Sequence, residues 1–211
     1  MRIIAVHEIV TTLGPSKADT LTFLHAFSGC DTTSAFAFRG KITVWEVWER
    51  FPEVTEAFAS CLTCAELSDA TIQLIERFTI LFYDRTSGLK DINEARRELF
   101  TKSAAMKSLD HIPPTKAALI QHIRRSILQT HVWTHSLLAS PALPDPGQWG
   151  WVRNGSDSEW KPLWTTLPEA ARVCAELIHC GCKKGCAARC KCIKAGLKCT
   201  ELCTCECGSR K

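Results

Sequence analysis

The sequence lacks any long apolar run. None of its stretches is apolar over the length that a bilayer-spanning helix needs, and the first residues, MRIIAVHEIVTTLG, hold no apolar core of signal-peptide length. We therefore expect no membrane partner and a reducing compartment, where structural disulfides are rare. The sequence also lacks internal repeats and any alternation of strands with helices, so we expect neither a solenoid nor a parallel sheet.

Helical patterns occupy most of the chain up to residue 139. We predict helices in five segments: 21–27, 43–51, 68–82, 91–100 and 115–133. Four of them begin with a residue that favours a helix start: Thr43, Ser68, Asp91 and Thr115. The fold class that we expect is mainly α, a helical body followed by a C-terminal irregular zinc-cluster module.

Residues 140–166 differ from the helical body in composition. They are rich in Pro and Gly and hold four of the seven tryptophans. Leaving each indole exposed would forfeit about 1.5–3 kcal/mol of burial, so we predict an irregular strap that packs back on the helices. Thr166 and Glu169 then form a capping box with Pro168 in the first turn, which predicts a helix that leads into the C-terminal cysteines.

Cysteine is abundant only at the C-terminal end, where ten of the 13 cysteines follow residue 173. Nine of them form one spaced run: Cys180, Cys182, Cys186, Cys190, Cys192, Cys199, Cys203, Cys205 and Cys207. The residues between them include few large apolar side chains, so burial cannot offset an ordering entropy of about 1–2 kcal/mol per residue. Structural zinc can, because it contributes about 10–16 kcal/mol per site in small peptides.

Nine thiolates match three zinc ions with none left over. Three tetrahedral ions need twelve ligand positions, which six terminal and three bridging thiolates supply, whereas two separate sites would strand one cysteine. Such a cluster carries about −3, and the side chains from residue 180 onward carry +6, so the module retains about +3. This surplus suits a polyanionic partner.

Other potential metal ligands are better explained without metal. His179 precedes the run directly, but nine thiolates already suffice. Cys174 lies within the expected helix, and we interpret it as a buried thiol. Cys61 and Cys64 have CxxC spacing, yet no second pair lies nearby in the sequence, so we expect them to pack in the core.

The run at 180–207 resembles a tesmin-type CXC domain, a nine-cysteine, three-zinc fold of DNA-binding nuclear proteins. The cysteine order matches one for one, with one residue missing before Cys186 and another before Cys207. Lys183 and Lys184 match the basic pair that follows the family's second cysteine. The family usually has a tyrosine directly before the fourth cysteine, which enters the DNA minor groove, and here that position is Arg189.

This resemblance implies three zinc ions, a nuclear location and zinc-dependent nucleic-acid binding, with DNA as the expected partner. A single module of this charge should bind weakly and with strong dependence on salt. The residues that we assign to DNA are Lys183, Lys184, Arg189 and Lys191. Two alternatives are a zinc-stapled module that contacts a protein partner and a metallothionein-like buffer, although a buffer would not need a helical body. No pattern specifies an oligomeric state.

A second resemblance lies in residues 25–36, HAFSGCDTTSAF. They are similar to the stretch of flap-endonuclease-like (PIN-type) nucleases in which a helix ends in Gly-Cys/Ser-Asp. In that family the aspartate, here Asp31, ligates an active-site magnesium ion, and a DNA-contacting motif, here Gly40-Lys41, follows. The residue types alone would instead make Asp31 and its polar neighbours a cap for the next helix.

Nearly the whole chain resembles the C-terminal part of mobile-element-derived proteins of animal genomes, on the phrases HAFSGCDTTSAF, PTKAAL, PLWTTLPEA and CGCKKGC. We do not expect an enzyme, because a two-metal nuclease needs several carboxylates and only Glu8 and Asp19 precede Asp31. A nuclease fragment that needs a missing half is the alternative. The expected parts are a nuclease-like remnant at 1–45, a helical body at 46–139, the strap at 140–166, and a capped helix with the CXC module at 167–211.

Overall fold

The computed structural model describes residues 4–63, 67–102, 109–153, 155, 159–167, 180–183, 185–187, 190–194, 199 and 203–205. The chain divides into two units, Met1–Thr166 and Leu167–Lys211. The first is built from helices and the second contains the cysteine cluster, which confirms the expected fold class. Within the described ranges, no helix combines the length and the apolar composition that crossing a membrane requires.

The first unit contains seven α-helices among its described residues: α1 (Val6–Leu13), α2 (Pro15–Phe27), α3 (Lys41–Arg50), α4 (Val54–Thr63), α5 (Asp69–Tyr83), α6 (Ile92–Lys102) and α7 (Lys116–Thr134). Short 3-10 turns lie at Leu109–His111 and Pro146–Gln148. Two short strands, β1 (Trp151–Val152) and β2 (Lys161–Pro162), pair antiparallel, with Trp151 opposite Pro162. In the second unit, α8 spans Lys191–Lys194.

Helix starts follow from local capping at three of the predicted positions. The hydroxyl of Ser68 accepts a hydrogen bond from the Thr71 amide at 3.1 Å, and that of Thr115 accepts one from the Ala118 amide at 3.2 Å. Asp91 accepts a bond from the Glu94 amide at 2.8 Å. Each side chain satisfies an amide that has no partner within its helix.

The predicted start of α3 at Thr43 is wrong, because the helix begins at Lys41 with Gly40 as its N-cap. The residues from Asp31 to Ser34 therefore do not cap it. The start of α3 is instead fixed by a tertiary contact: the Lys41 ammonium group donates to the carbonyl oxygens of His25 and Gly29 at 3.1 and 2.7 Å. A cation at the carbonyl end of α2 interacts favourably with the helix dipole.

Aromatic rings form the centre of the core. The ring of Phe27, on α2, lies between 5.2 and 6.4 Å from the centroids of six other rings: Phe23, Phe36, Phe58, Phe78, Phe82 and His122. Trp48 is fully buried beside them, and its indole donates to the Thr55 hydroxyl at 2.9 Å. Cys61 is also buried in this core, as expected, whereas Cys64 lies outside the described residues.

One buried carboxylate links three helices. Glu76, on α5, is 1% exposed, and it pairs with the Lys116 ammonium group at 2.8 Å. It also accepts a hydrogen bond from the Ile92 amide at 3.2 Å. The start of α6 and the start of α7 are therefore both fixed to the middle of α5.

The described part of residues 140–166 contacts the helices through Trp149 and Gly150. Trp149 packs against the core. Gly150 has a φ of 78°, and a Cβ atom there would lie 2.6 Å from the Gln121 carbonyl oxygen, so only glycine allows this approach. Arg125, on α7, donates to the carbonyl oxygens of Gly150 and Leu163 at 3.2 and 2.7 Å.

Candidate metal centre

The second unit gathers eight of the nine predicted cysteine ligands into one cluster. Four of them are buried: Cys180, Cys190, Cys192 and Cys205. The other four are partly buried and pack against these: Cys182, Cys186, Cys199 and Cys203. Cys207 lies outside the described residues.

Backbone contacts bring the two ends of this cysteine run together. The Thr204 amide donates to the Cys180 carbonyl oxygen at 3.2 Å, and the Cys180 amide donates to the Cys203 sulfur at 3.4 Å. Near the middle of the run, the Lys194 amide donates to the Cys190 carbonyl oxygen at 3.0 Å, which closes the single turn of α8. The chain thus folds around the sulfur atoms, which take the place of an apolar core.

The sulfur atoms fall into three groups of four, and within each group all of them lie within 4.8 Å of one another. The first group is Cys180, Cys199, Cys203 and Cys205. The second group is Cys180, Cys190, Cys192 and Cys199. The third group is Cys180, Cys182, Cys186 and Cys190. Four thiols converging on one point form the ligand set of a tetrahedral metal site.

Sulfur–sulfur distances agree with tetrahedral thiolate sites. The Sγ atoms of Cys180 and Cys186 lie 3.6 Å apart, as do those of Cys180 and Cys205. With a zinc–sulfur bond of about 2.3 Å, the edge of a tetrahedron is about 3.8 Å. The spacing is therefore that of ligands around a metal ion and not of sulfur atoms bonded in disulfides.

The cysteine environment also divides the thiols by acidity. The backbone amide of Ile193, at the start of α8, lowers the pKa of Cys190 to about 6. The neighbouring thiol of Cys205, together with burial, raises the pKa of Cys186. Adjacent thiolates repel one another, and a divalent cation removes that repulsion, so metal binding would release the remaining protons.

The expected DNA-contacting residues are only partly described. Lys183 is exposed beside the cluster, and Lys191 is the first residue of α8. Lys184 and Arg189 lie outside the described residues. So do His179, Cys174, Glu169 of the predicted capping box, and Pro168 of the predicted first turn.

Asp31 occupies an exposed turn after α2. Within the described ranges, it belongs to no set of three or more Asp, Glu, His or Cys side chains close enough to share a metal ion. Its neighbours stabilise the turn: the Thr33 hydroxyl donates to the Ala26 carbonyl oxygen at 2.5 Å, and the Thr32 hydroxyl donates to Gln129 at 2.6 Å. The contacts of this segment are those of a structural turn.

The cysteine cluster is thus the candidate functional site of this chain. Every group of potential metal ligands found among the described residues consists of its cysteines alone. All-sulfur tetrahedral sites favour zinc among the common divalent ions. Comparisons of this chain with protein-family models, with curated proteins and with solved structures each found no match.

Proposed function

We propose that the chain is a zinc-dependent DNA-binding protein whose residues 180–207 hold three zinc ions in one cluster. The three-zinc cluster is supported by one observation: the three groups of cysteines share members. Cys180 belongs to all three groups, while Cys190 and Cys199 belong to two each. Separate sites would not share ligands, whereas a cluster with bridging thiolates requires it.

The shared cysteines fit a ring of three ions. Cys199 is shared by the first and second groups, and Cys190 by the second and third. Cys180 is shared by all three, and we assign it to the first and third ions, because each bridging thiolate of a three-ion ring joins two ions. Each ion then receives two bridging and two terminal thiolates. The terminal ligands are Cys203 and Cys205 for the first ion, Cys182 and Cys186 for the third, and Cys192 with one further thiolate for the second. We assign that last position to Cys207, because it is the remaining cysteine of the run.

The DNA part of the proposal is supported by charge and by the resemblance to tesmin-type CXC domains. With three zinc ions and nine thiolates, the module keeps a net charge of about +3. A positively charged surface suits a polyanionic partner. We assign phosphate contacts to Lys183, Lys184 and Lys191, and an approach to the minor groove to Arg189, since arginine suits a narrow groove. A nuclear location and descent from a mobile element belong to the same proposal.

The test measures zinc content and DNA binding on the same full-length sample. Elemental analysis of reduced protein should give close to three zinc ions per chain. Fluorescence anisotropy with A·T-rich and G·C-rich duplexes across a salt series should give micromolar or weaker affinity at physiological salt. The slope of log K against log salt should be roughly −3 to −5, because only a few phosphates are neutralised.

Matched variants separate the two halves of the proposal. Lys183→Gln should weaken binding to all duplexes alike and reduce the salt slope by about one, whereas Arg189→Ala should remove any preference for A·T-rich sites. Lys90→Gln, an exposed lysine of the helical unit, should change neither. Three zinc ions without DNA binding at low salt would overturn the DNA part and favour a protein-contact module. One zinc ion or none would overturn the cluster itself.

A further inference from the structure

The first unit contains a cavity of about 270 Å³ that the proposed function does not use. It is lined by the C-terminal end of α5, the first half of α6, the segment 110–114, the first half of α7, the loop that follows α2, and Trp164. Its volume is just below the range of about 300–1,000 Å³ that is usual for small-molecule sites. A compact ligand of one ring and one polar group would fit such a space.

Two arginines line this cavity, and within the described ranges both donate to backbone carbonyl oxygens and not to carboxylates. Arg125 is 3% exposed, and its hydrogen bonds go to two backbone carbonyl oxygens. Arg96 donates to the Pro113 carbonyl oxygen in the same way. Within the described part of the chain, no acidic side chain lies within 4.0 Å of either guanidinium group. Carbonyl oxygens are neutral, so among the described residues no ion pair compensates either positive charge.

The charge balance of the cavity is positive. Asp110 also lines it, and it is the one acidic side chain among the lining residues that the structure describes. Arg39 adds a further positive charge nearby, because its guanidinium group lies 4.9 Å from the centroid of the Tyr83 ring. A partly buried cation without an anionic partner is costly. Burial indeed lowers the pKa of both Arg96 and Arg125. An anion that enters the cavity would relieve this cost.

The walls of the cavity offer flat apolar surfaces and unused hydrogen-bond donors. The Trp164 ring lies 5.3 Å from the Arg125 guanidinium carbon and is 61% exposed. Tyr83 contributes a second ring, and its hydroxyl has no hydrogen-bond partner within the described ranges. Burial raises the pKa of Tyr83 to about 12, so this hydroxyl remains a donor at neutral pH. Nη1 of Arg96 and Nη1 of Arg125 are engaged, which leaves their other N–H groups for a ligand.

We propose that this cavity binds a small aromatic molecule that carries one anionic group, either a carboxylate or a phosphate. The two guanidinium groups bind the anionic oxygens, since planar N–H donors match both groups in a bidentate manner. The ring packs against Trp164 and Tyr83. No sequence motif marks this site, because its residues come from segments far apart in the chain.

The probes are phenyl phosphate and benzoate, which share a ring and differ in the anion, with phenol and inorganic phosphate as controls. Isothermal titration calorimetry on the full-length, zinc-loaded protein should give a dissociation constant of about 1 mM or lower for at least one ring anion. Phenol and inorganic phosphate should each bind at least tenfold more weakly, because phenol lacks the anionic group and inorganic phosphate lacks the aromatic ring. The stronger of the two ring anions identifies the preferred acidic group.

Variants distinguish ligand binding from a purely structural role of the arginines. Arg96→Gln should weaken the preferred probe at least tenfold, because it removes a charge-assisted hydrogen bond, and Arg96→Lys should recover part of the affinity. Arg77→Gln is the matched control, since Arg77 also donates to a backbone carbonyl, that of Leu89 at 2.8 Å, but lies outside the cavity. It should leave binding unchanged. The proposal is wrong if neither ring anion binds at about 10 mM, or if Arg77→Gln and Arg96→Gln weaken binding equally.

Discussion

The sulfur atoms of Cys180 and Cys205 lie 3.6 Å apart, although 25 residues separate them along the chain. Few large apolar side chains are available to hold the two ends of this segment together. The contact therefore depends on what binds the sulfur atoms. In the proposed cluster Cys180 bridges two ions, so both ends of the segment are fixed by metal and the fold of the segment is coupled to metal binding.

Replacing a bridging cysteine should be more damaging than replacing a terminal one. In the proposed ring, Cys199→Ser or Cys190→Ser removes a ligand from two ions at once, and we expect the whole cluster to be lost. Cys182→Ser removes a ligand from one ion only, so at least one zinc ion should remain. Elemental analysis of the reduced proteins, combined with chelator titration, measures both outcomes.

Cys30→Ser is the control for these variants, because Cys30 lies in the first unit and contacts Thr32 and Thr33 instead of other thiols. It should retain the full zinc content. Chelation of the wild-type protein should unfold residues 180–207 and spare the helices, which circular dichroism can follow. Equal zinc loss in the Cys199 and Cys182 variants would contradict the bridging assignment.

We predict that the chain alone does not cleave flap, hairpin or single-stranded DNA with Mg²⁺ or Mn²⁺. Asp31 stands in an exposed turn, and no group of metal-ligating side chains includes it within the described ranges. A two-metal reaction needs several carboxylates on one site. Cleavage assays on the wild type and Asp31→Asn measure this directly, and activity that disappears in the variant would support the nuclease interpretation instead.

The sequence predicted the helices best where local rules decide. Ser68, Asp91 and Thr115 begin α5, α6 and α7 as their capping preferences indicate. The start of α3 differs because Lys41 is fixed by the end of α2, a tertiary contact that no local pattern contains. Helix α1 was not predicted, although Val6, Ile9, Val10 and Leu13 recur at helical spacing. None of its side chains is buried, so this apolar stripe does not mark a helix packed in the core.

The ligand set of the metal centre could be predicted from the sequence, but its internal connections could not. Cysteine spacing and a missing apolar core indicate metal, and the count suggests bridging. Which cysteines are shared depends on how the chain folds in three dimensions, and spacing does not specify this. The cavity beside Arg96 and Arg125 was missed for the same reason, since its lining residues extend from Ser34 to Trp164.

Breaking the pair of Glu76 and Lys116 should destabilise the helical unit. Lys116→Met removes the ammonium group and leaves a carboxylate that is 1% exposed, and within the described ranges the Ile92 amide at 3.2 Å is then its one hydrogen-bond donor. Loss of one partner of a buried pair costs several kcal/mol, but Lys116 is 38% exposed and partly screened by solvent. We expect the free energy of unfolding to fall by about 1–2 kcal/mol.

Urea denaturation followed by tryptophan fluorescence measures this loss, because all seven tryptophans precede residue 167 and report on the helical unit. Lys17→Met is the control, since its pair with Glu49 involves a carboxylate that is 50% exposed. This variant should change stability by less than about 1 kcal/mol. The double variant Glu76→Leu/Lys116→Met should recover part of the loss, because it removes the buried charge together with its partner.

His122 couples the stability of the helical core to pH. Its Nε2 lies 2.8 Å from the Phe27 carbonyl oxygen, and its ring packs against Phe27 and Phe36. Burial lowers the pKa of His122 to about 4, although the bond to Phe27 opposes this, and the positive charge of Arg125 lowers the pKa further. The folded protein therefore holds a neutral imidazole at neutral pH.

The core should lose stability as the pH falls from about 6.5 to 4. In that window the unfolded chain binds a proton at His122 and the folded chain does not, so the free energy of unfolding decreases as the pH falls, by up to about 3 kcal/mol in total. Below pH 4 both states are protonated and this contribution stops changing.

His122→Gln keeps a donor for the Phe27 carbonyl oxygen without a titrating ring, so its stability should depend less on pH across this window. Urea denaturation at pH 7 and pH 4.5 measures the difference by tryptophan fluorescence, with His7→Gln, an exposed histidine of α1, as the control. The same acid sensitivity in His122→Gln and the wild type would assign the effect to other groups.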